Sequence, residues 1–307
     1  MYHRFNETKY PSTNIQLEIF KEQLKIIEDE GIKFIHPKKF EQSLIEKKKE
    51  RKILFTVDDG LLSFYKNAWP ILKKNQIPFI LFVNTREVGA FNYMNWDQIR
   101  ELYKEDFVEI GNHSHSHEYL IDENASIIRD DILRSIKIFE ENLGKNSIFF
   151  SYPFGEYNLK HVKFIEKNFK YGFGQHSGVI DLTKNPFELP RFPINEKYGD
   201  LERFEFIIQL FPIPFKNLKP KDKFVSKKQN PPVIEIDFFD EQKNIQNINC
   251  FSNEGNEWRN PIMEFKKNSL EINFREKFTF RRGRVNCSIK EGDIWRWLGI
   301  QMSIELN

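Results

Sequence analysis

The sequence predicts an α/β fold followed by an all-β unit. Three observations carry this expectation. Strand-like and helix-like segments alternate through residues 1–211. A Pro- and Lys-rich stretch then occupies 212–232, and short runs of alternating apolar and polar residues fill 233–307. The alternation argues for a mainly parallel sheet, barrel-like or open. The later runs argue for a β-sandwich. A chain of 307 residues exceeds one ordinary domain of about 100–200 residues, which fits this division.

The elements follow from local pattern. Leu17, Phe20, Leu24 and Ile27 recur at helical spacing in 16–30, and Gly31 stops that helix. Residues 32–35 form a short strand candidate. The apolar, β-rich run KILFTV (52–57) is a strand that halts at Asp58-Asp59-Gly60. Residues 61–75 read as a helix and IPFILFV (77–83) as a buried strand. Residues 95–104 are helical, with Trp96 as a packing residue, and FVEI (107–110) is extended. A long helix covers 124–143 and ends at Gly144. IFFS (148–151) is a strand and 158–168 a helix.

In 212–232, Pro212, Pro214, Pro220, Pro231 and Pro232 stand among lysines, a linker composition. The strand candidates beyond it are 233–239, 262–266, 269–274, 284–289 and 299–306. Trp258, Trp295 and Trp297 lie among them. They can stack on sugar rings or pack a core; Trp295 and Trp297 share one face of a strand. Arg281, Arg282 and Arg284 read as a solvated turn, with an anionic saccharide as the alternative contact.

Composition excludes several classes. Lys plus Arg number 47 and Asp plus Glu 45, so the basic excess of a nucleic-acid binder is absent. Charged residues reach 30%, but an aromatic fraction of 15% sets the chain apart from disordered ones. No apolar run approaches the ~20 residues of a membrane span. Two cysteines, Cys250 and Cys287, exclude an all-cysteine metal site. They either pair in an oxidising compartment or stay as buried thiols. The MYHRFNETKY start carries no signal-peptide pattern, a reading that a processed or trimmed chain would share.

Chemistry concentrates in two places. GNHSHSH follows the strand-like FVEI. In a helical turn His113 and His117 share a face; in an extended segment His113, His115 and His117 do. Spacing leaves both open. Asp58 and Asp59 end a buried strand, where adjacent carboxylates are costly unless used. A lone Asp-Gly is a common turn. Beside a histidine cluster, the pair suggests a carboxylate–His–His site with an open position for water and a second carboxylate as base.

At these residues the chain resembles the polysaccharide deacetylases of carbohydrate esterase family 4. FTVDDG resembles their T-F-D-D-G motif, NHSHSH their N-H-[ST]-x-x-H, and SYPFGEYN their R-x-P-[YF]-G. The resemblance covers about residues 1–210. It implies a distorted (β/α) barrel and metal-dependent removal of acetyl groups from N-acetylated sugars of a polysaccharide. It also implies Asp59, His113 and His117 as ligands of a divalent metal, usually Zn2+, with His115 a non-ligand and Asp58 the general base. The backbone N–H near Phe154 would stabilise the oxyanion, and Tyr152, Pro153 and Phe154 would contact substrate. The expected partner is an N-acetylated polysaccharide or oligosaccharide. The implied address is periplasmic, secreted or cell-envelope associated; the sequence alone leaves a cytoplasmic one open.

Two departures matter. The Arg of the third motif is Ser151, and no late D-x-x-D-W or L-x-H segment supplies the usual acid. The poly-β-1,6-N-acetylglucosamine deacetylase branch departs similarly and shares an early M-Y-H and a later P-R-x-P. That resemblance makes His3 the general acid and Arg191 the partner of Asp58. His176, after a Gly-rich turn, competes for the acid role. His36 and His161 receive no function; His161 is expected mid-helix and exposed. The departures leave two alternatives: a catalytically impaired glycan-binding protein on the same scaffold, or a metal-dependent amidase for a non-sugar substrate.

Overall fold

The structure is a computed structural model and describes residues 1–45, 50–181, 183–242 and 244–305. Strands β1 (Phe55–Val57), β2 (Phe79–Val83), β3 (Val108–Asn112), β4 (Phe149–Ser151) and β5 (Tyr171–Phe173) form one parallel sheet in sequence order. β2 is buried at all five positions, as expected of a strand covered on both faces. In β3, Gly111 is needed for packing: a Cβ there would lie 2.3 Å from the Phe82 ring.

The predicted helices form with slightly shorter bounds. Those that cover the sheet are α1 (Leu17–Asp29), α2 (Trp69–Lys74), α3 (Trp96–Tyr103), α4 (Ala125–Leu143) and α5 (Leu159–Ile165). The Asn124 side chain accepts from the N–H groups of Ser126 and Ile127 to start α4, and Gly144 at φ 78° ends it. Trp96 packs edge-on against Phe139 of α4, as its helical phase implied.

The barrel is distorted because irregular chain, not strand, joins its edges. Phe173 of β5 bridges to Leu189, and Tyr2 bridges to Val57 of β1. Between these, the Met1 amino group donates to the Phe192 carbonyl at 3.0 Å and the Ile194 N–H to the Met1 carbonyl at 3.0 Å. This closure brings residues 1–3 and 189–194 beside the sheet's carboxyl ends.

The β unit is a sandwich. One sheet runs β6 (Phe211–Pro212), β14 (Ile294–Ile304), β13 (Arg282–Glu291), β10 (Asn249–Ser252), with β8 (Phe224–Val225) also on β14. The other runs β7 (Asn217–Lys219), β9 (Ile234–Asp237), β12 (Ser269–Asn273), β11 (Ile262–Lys266). Ile234, Ile236, Leu270 and Ile272 of one sheet face Val285, Cys287, Ile289 and Met302 of the other in one core. Cys250 and Cys287 stand opposite each other on β10 and β13 and form a disulfide.

Several expectations need correction. Residues 212–232 are not a free connector: β7 and β8, with part of β6, lie there and pair into both sheets. Prolines suit such short edge strands as well as linkers. The run 52–57 splits into Lys52–Ile53, paired with Lys33–Phe34, and β1. The short strands Arg4–Phe5 and Asn14–Ile15 and strand β10 were not anticipated. Of the last predicted strand, 299–306, residues 299–304 lie in β14, Glu305 follows its end, and residue 306 lies outside the described residues. His161 is 4% exposed, because α5 turns it with Val162 and Ile165 towards the sheet; burial pushes it down to about 4. Trp295 and Trp297 share a face, and that face meets the barrel: both rings contact Phe206, and Trp297 Nε1 donates to the Ser177 carbonyl at 3.0 Å. Trp258 remains exposed.

Candidate active site

The site stands at the carboxyl ends of β1, β3 and β4, the usual ligand edge of a parallel sheet. β1 ends in Val57, and the next two residues differ in exposure and backbone. Asp58 is fully buried, while Asp59 adopts φ 75° and keeps its side chain 18% exposed. Ser114 and His117 after β3, and Phe154 after β4, also have φ between 53° and 67°. Non-glycine residues in this region are strained unless their surroundings hold them. Four of the chain's positive-φ residues therefore gather at this one place.

Asp59, His113 and His117 converge. Their donor atoms all lie within 4.8 Å of one another. Asp59 Oδ1 is 3.6 Å from His113 Nε2 and 3.4 Å from His117 Nε2. A tetrahedral zinc site with arms of about 2.0–2.1 Å requires donor separations of about 3.3 Å. His113 Nε2 and Asp59 Oδ1 are buried and have no hydrogen-bond partner among the described residues. Orphaned polar atoms facing one another are costly unless a cation sits between them. The residues present therefore fit a divalent metal.

The surroundings prepare that role. His113 Nδ1 lies 2.7 Å from the Ser151 carbonyl, which fixes the tautomer that leaves Nε2 free as an acceptor. Burial pushes His113 down to about 4, so the ring is neutral at neutral pH. The Asp131 carboxylate accepts from the N–H groups of His115 and Ser116, both at 2.9 Å, and holds the histidine turn. His115 points elsewhere, with Nδ1 2.8 Å from Thr85 Oγ1, in line with its expected non-ligand status.

Asp58 is held by Arg191. Nη1 and Nη2 reach Oδ1 and Oδ2 at 2.6 and 2.9 Å, a bidentate pair that is almost fully buried. Nη2 also donates to Ser151 Oγ at 2.8 Å, so Ser151 leaves the space that Arg191 fills from the irregular segment closing the barrel. Burial by itself would raise the Asp58 pKa, but Arg191, then His113 and His3, outweigh it and hold the carboxyl well below the usual range. His3 is partly buried beside this group. Burial lowers its pKa, opposed by Asp59 and Asp58. The Phe154 ring closes one side, 4.7 Å from the His117 ring and stacked at 4.0 Å on Tyr119.

Of the expected site residues, the fold brings together Asp58, Asp59, His113, His117, His3, Arg191 and Phe154. His176 reaches this group only through its backbone, its carbonyl accepting from the Arg191 N–H at 2.9 Å. Its ring is buried against Gly174 and lines a cleft of about 430 Å³ under the β unit. Burial, then Lys223 and Arg191, push it down to about 3. Tyr152 and Pro153 are also corrections. Both are buried, Tyr152 in a cluster with Phe150 and Tyr157, so little of either side chain is open to a substrate. These residues follow β4 in a 3-10 turn, Pro153–Gly155, in which Phe154 departs from the helical backbone at φ 58°. Asp131 and Tyr119 were missed, since neither the Asp131 contacts with residues 15 and 16 positions away nor the stacking of Tyr119 on Phe154 leaves a local signal.

A family model described as Polysaccharide deacetylase matches residues 45–171. The poly-beta-1,6-N-acetyl-D-glucosamine N-deacetylase of Staphylococcus aureus is 31% identical over 209 residues, covering 62% of this chain and 69% of the relative. The protein of the same name from Staphylococcus epidermidis is 27% identical over 206 residues, with coverage of 62% and 69%. The fold matches the Streptococcus pyogenes deacetylase PplD, solved with acetate, at TM-score 0.61 and 23% identity, over 68% of this chain and 96% of that one. It matches IcaB from Ammonifex degensii at TM-score 0.61 and 24% identity, over 68% and 94%. Sequence relationship over most of the relative's length, with the same half-barrel beneath it, establishes that this chain belongs to the polysaccharide deacetylase family of enzymes.

Proposed function

We propose that the protein is a metal-dependent N-deacetylase of an N-acetylated polysaccharide, with a poly-β-1,6-N-acetylglucosamine as the substrate class. The observation that carries the metal is the pair of buried, unpartnered donors, His113 Nε2 and Asp59 Oδ1, beside the Arg191-held Asp58. The substrate class is taken from the named relatives. When bound by Asp59, His113 and His117, a divalent ion such as zinc supplies Lewis-acid polarisation and water activation. Asp58, kept ionised by Arg191, is placed to accept a proton from the attacking water. The N–H near Phe154 is placed for the developing oxyanion, with the ring as the wall for the acetyl methyl. His3 is placed to give a proton to the departing amine.

The test is metal content together with acetate release from β-1,6-linked N-acetylglucosamine oligomers. Wild type is expected to hold about one metal per chain and release acetate; His113→Ala is expected to lose both. Stoichiometric metal without acetate release would sink the deacetylase reading. For the acid, His3→Ala is expected to keep the metal and lower kcat by about 10²-fold or more. His176→Ala is expected to stay within a few-fold of wild type, and the reverse pattern would reassign the role to His176.

We also propose a catalytic unit over residues 1–210 and a β unit from 211 onward; the pairing of β6, β7 and β8 into the β sheets supports that boundary. The Cys250–Cys287 disulfide supports an exported, envelope-associated protein. No helix among the described residues is long and apolar enough to cross a membrane.

A further inference from the structure

The loop that carries Phe154 is gripped by the β unit. Glu156, whose side chain is 2% exposed, accepts from Arg281 Nε at 2.8 Å and from Arg282 Nε at 2.8 Å. Arg281 also bonds Asp122 at 2.7 Å and lies 4.0 Å over the Tyr119 ring, the ring that stacks on Phe154. The Arg282 guanidinium lies 5.7 Å over Phe154 itself. One residue along, Gln301 Nε2 donates to the Gly155 carbonyl at 3.1 Å. Gly155 is at φ +68°, and a Cβ there would lie 2.5 Å from the Gln175 backbone nitrogen, so the turn has no slack. Phe154 at φ 58° is therefore held from above by side chains that follow it by more than a hundred residues. The cluster expected as a solvated turn is instead a clamp.

The geometry points to Arg281 and Arg282 as positioning residues for deacetylation: through Glu156 they fix the Phe154 loop over the ligand trio, which makes the β unit part of the catalytic machinery. This inference rests on the deacetylase reading above. Displacing a catalytic contact by about 1 Å can cost about 10²-fold in rate. The Phe154 N–H and ring act on the developing tetrahedral centre, so the loss falls on kcat and leaves KM and metal content in place.

The test uses the full chain and β-1,6-linked N-acetylglucosamine oligomers. Arg281→Ala/Arg282→Ala is expected to lower kcat about 10- to 100-fold with KM within a few-fold and metal retained. Amide hydrogen exchange is expected to rise in the peptide 152–158 and stay unchanged in 108–112. Because the double variant leaves a buried carboxylate unpaired, a triple variant adds Glu156→Gln. It is expected to fold and to show the same kcat loss with no further decrement. Unchanged exchange in 152–158, or unchanged kcat in variants of an active wild type, overturns the clamp alone. Loss of protection throughout the β unit in both variants overturns it in favour of a purely structural role. A wild type that releases no acetate overturns the deacetylase reading and, with it, any role of the clamp in turnover.

Discussion

Asp58→Asn is expected to keep the metal and lower kcat by about 10²- to 10⁴-fold. The carboxylate is fully buried and is not one of the converging ligand trio. An amide of the same shape preserves the volume and can accept one of the two Arg191 hydrogen bonds through its single oxygen, but it cannot take a proton from water. The loss should therefore appear in kcat and not in metal content, measured by acetate release and elemental analysis on the same preparation. A variant within tenfold of wild type would remove Asp58 as the base. A metal-free variant would make it a ligand.

Arg191→Met is expected to be the most destabilising single change at the site. It leaves a fully buried carboxylate without its bidentate partner, a class of change that costs about 3–5 kcal/mol. The sign with pH follows from the direction of the shift. Asp58 is depressed in the folded protein, so the pair stabilises fully above the unfolded carboxylate pKa of about 3.9 and is lost as pH falls through the lower folded value. In the variant, burial without Arg191 favours the neutral carboxyl, so lowering the pH relieves the variant. The gap between wild type and variant is thus largest near pH 7 and closes towards acid. Urea unfolding of the metal-free proteins at several pH values checks this. A gap below ~1 kcal/mol at pH 7, or one that widens towards acid, would show that Arg191 does not hold Asp58 in this way.

The reactive residues were legible where the chemistry is local. Asp58 and Asp59 are covalent neighbours at a strand end, and His113 and His117 share one turn, so spacing alone brought both pairs into consideration. Even there spacing left His115 open, and only its bond to Thr85 and the positive φ of Ser114 and His117 show how the turn excludes it. Periodicity was less informative about burial. It correctly put Trp295 and Trp297 on one face but could not say that this face meets Phe206 rather than solvent or a sugar. The same gap explains His161, in an anticipated helix, and Tyr152, just past an anticipated strand, since the partners of their buried faces were not legible.

By itself, the amino-acid sequence determined the alternating half-barrel, the sandwich that follows it, and two local pairs of reactive residues, Asp58–Asp59 and His113/His117, which the family resemblance joined into one site. Each depends on residues close along the chain, where backbone geometry turns spacing into position. The tertiary structure alone decided that residues 1–3 and 189–194 close the barrel around Asp58 and that Arg281 and Arg282 reach Glu156, and it brought Arg191, which the resemblance had paired with Asp58, into bidentate contact with it. Those contacts join residues separated by 50 to more than 130 positions, and no local pattern constrains them. They form because burying apolar sheet faces brings distant edges together, and each buried charge then requires an opposite one beside it.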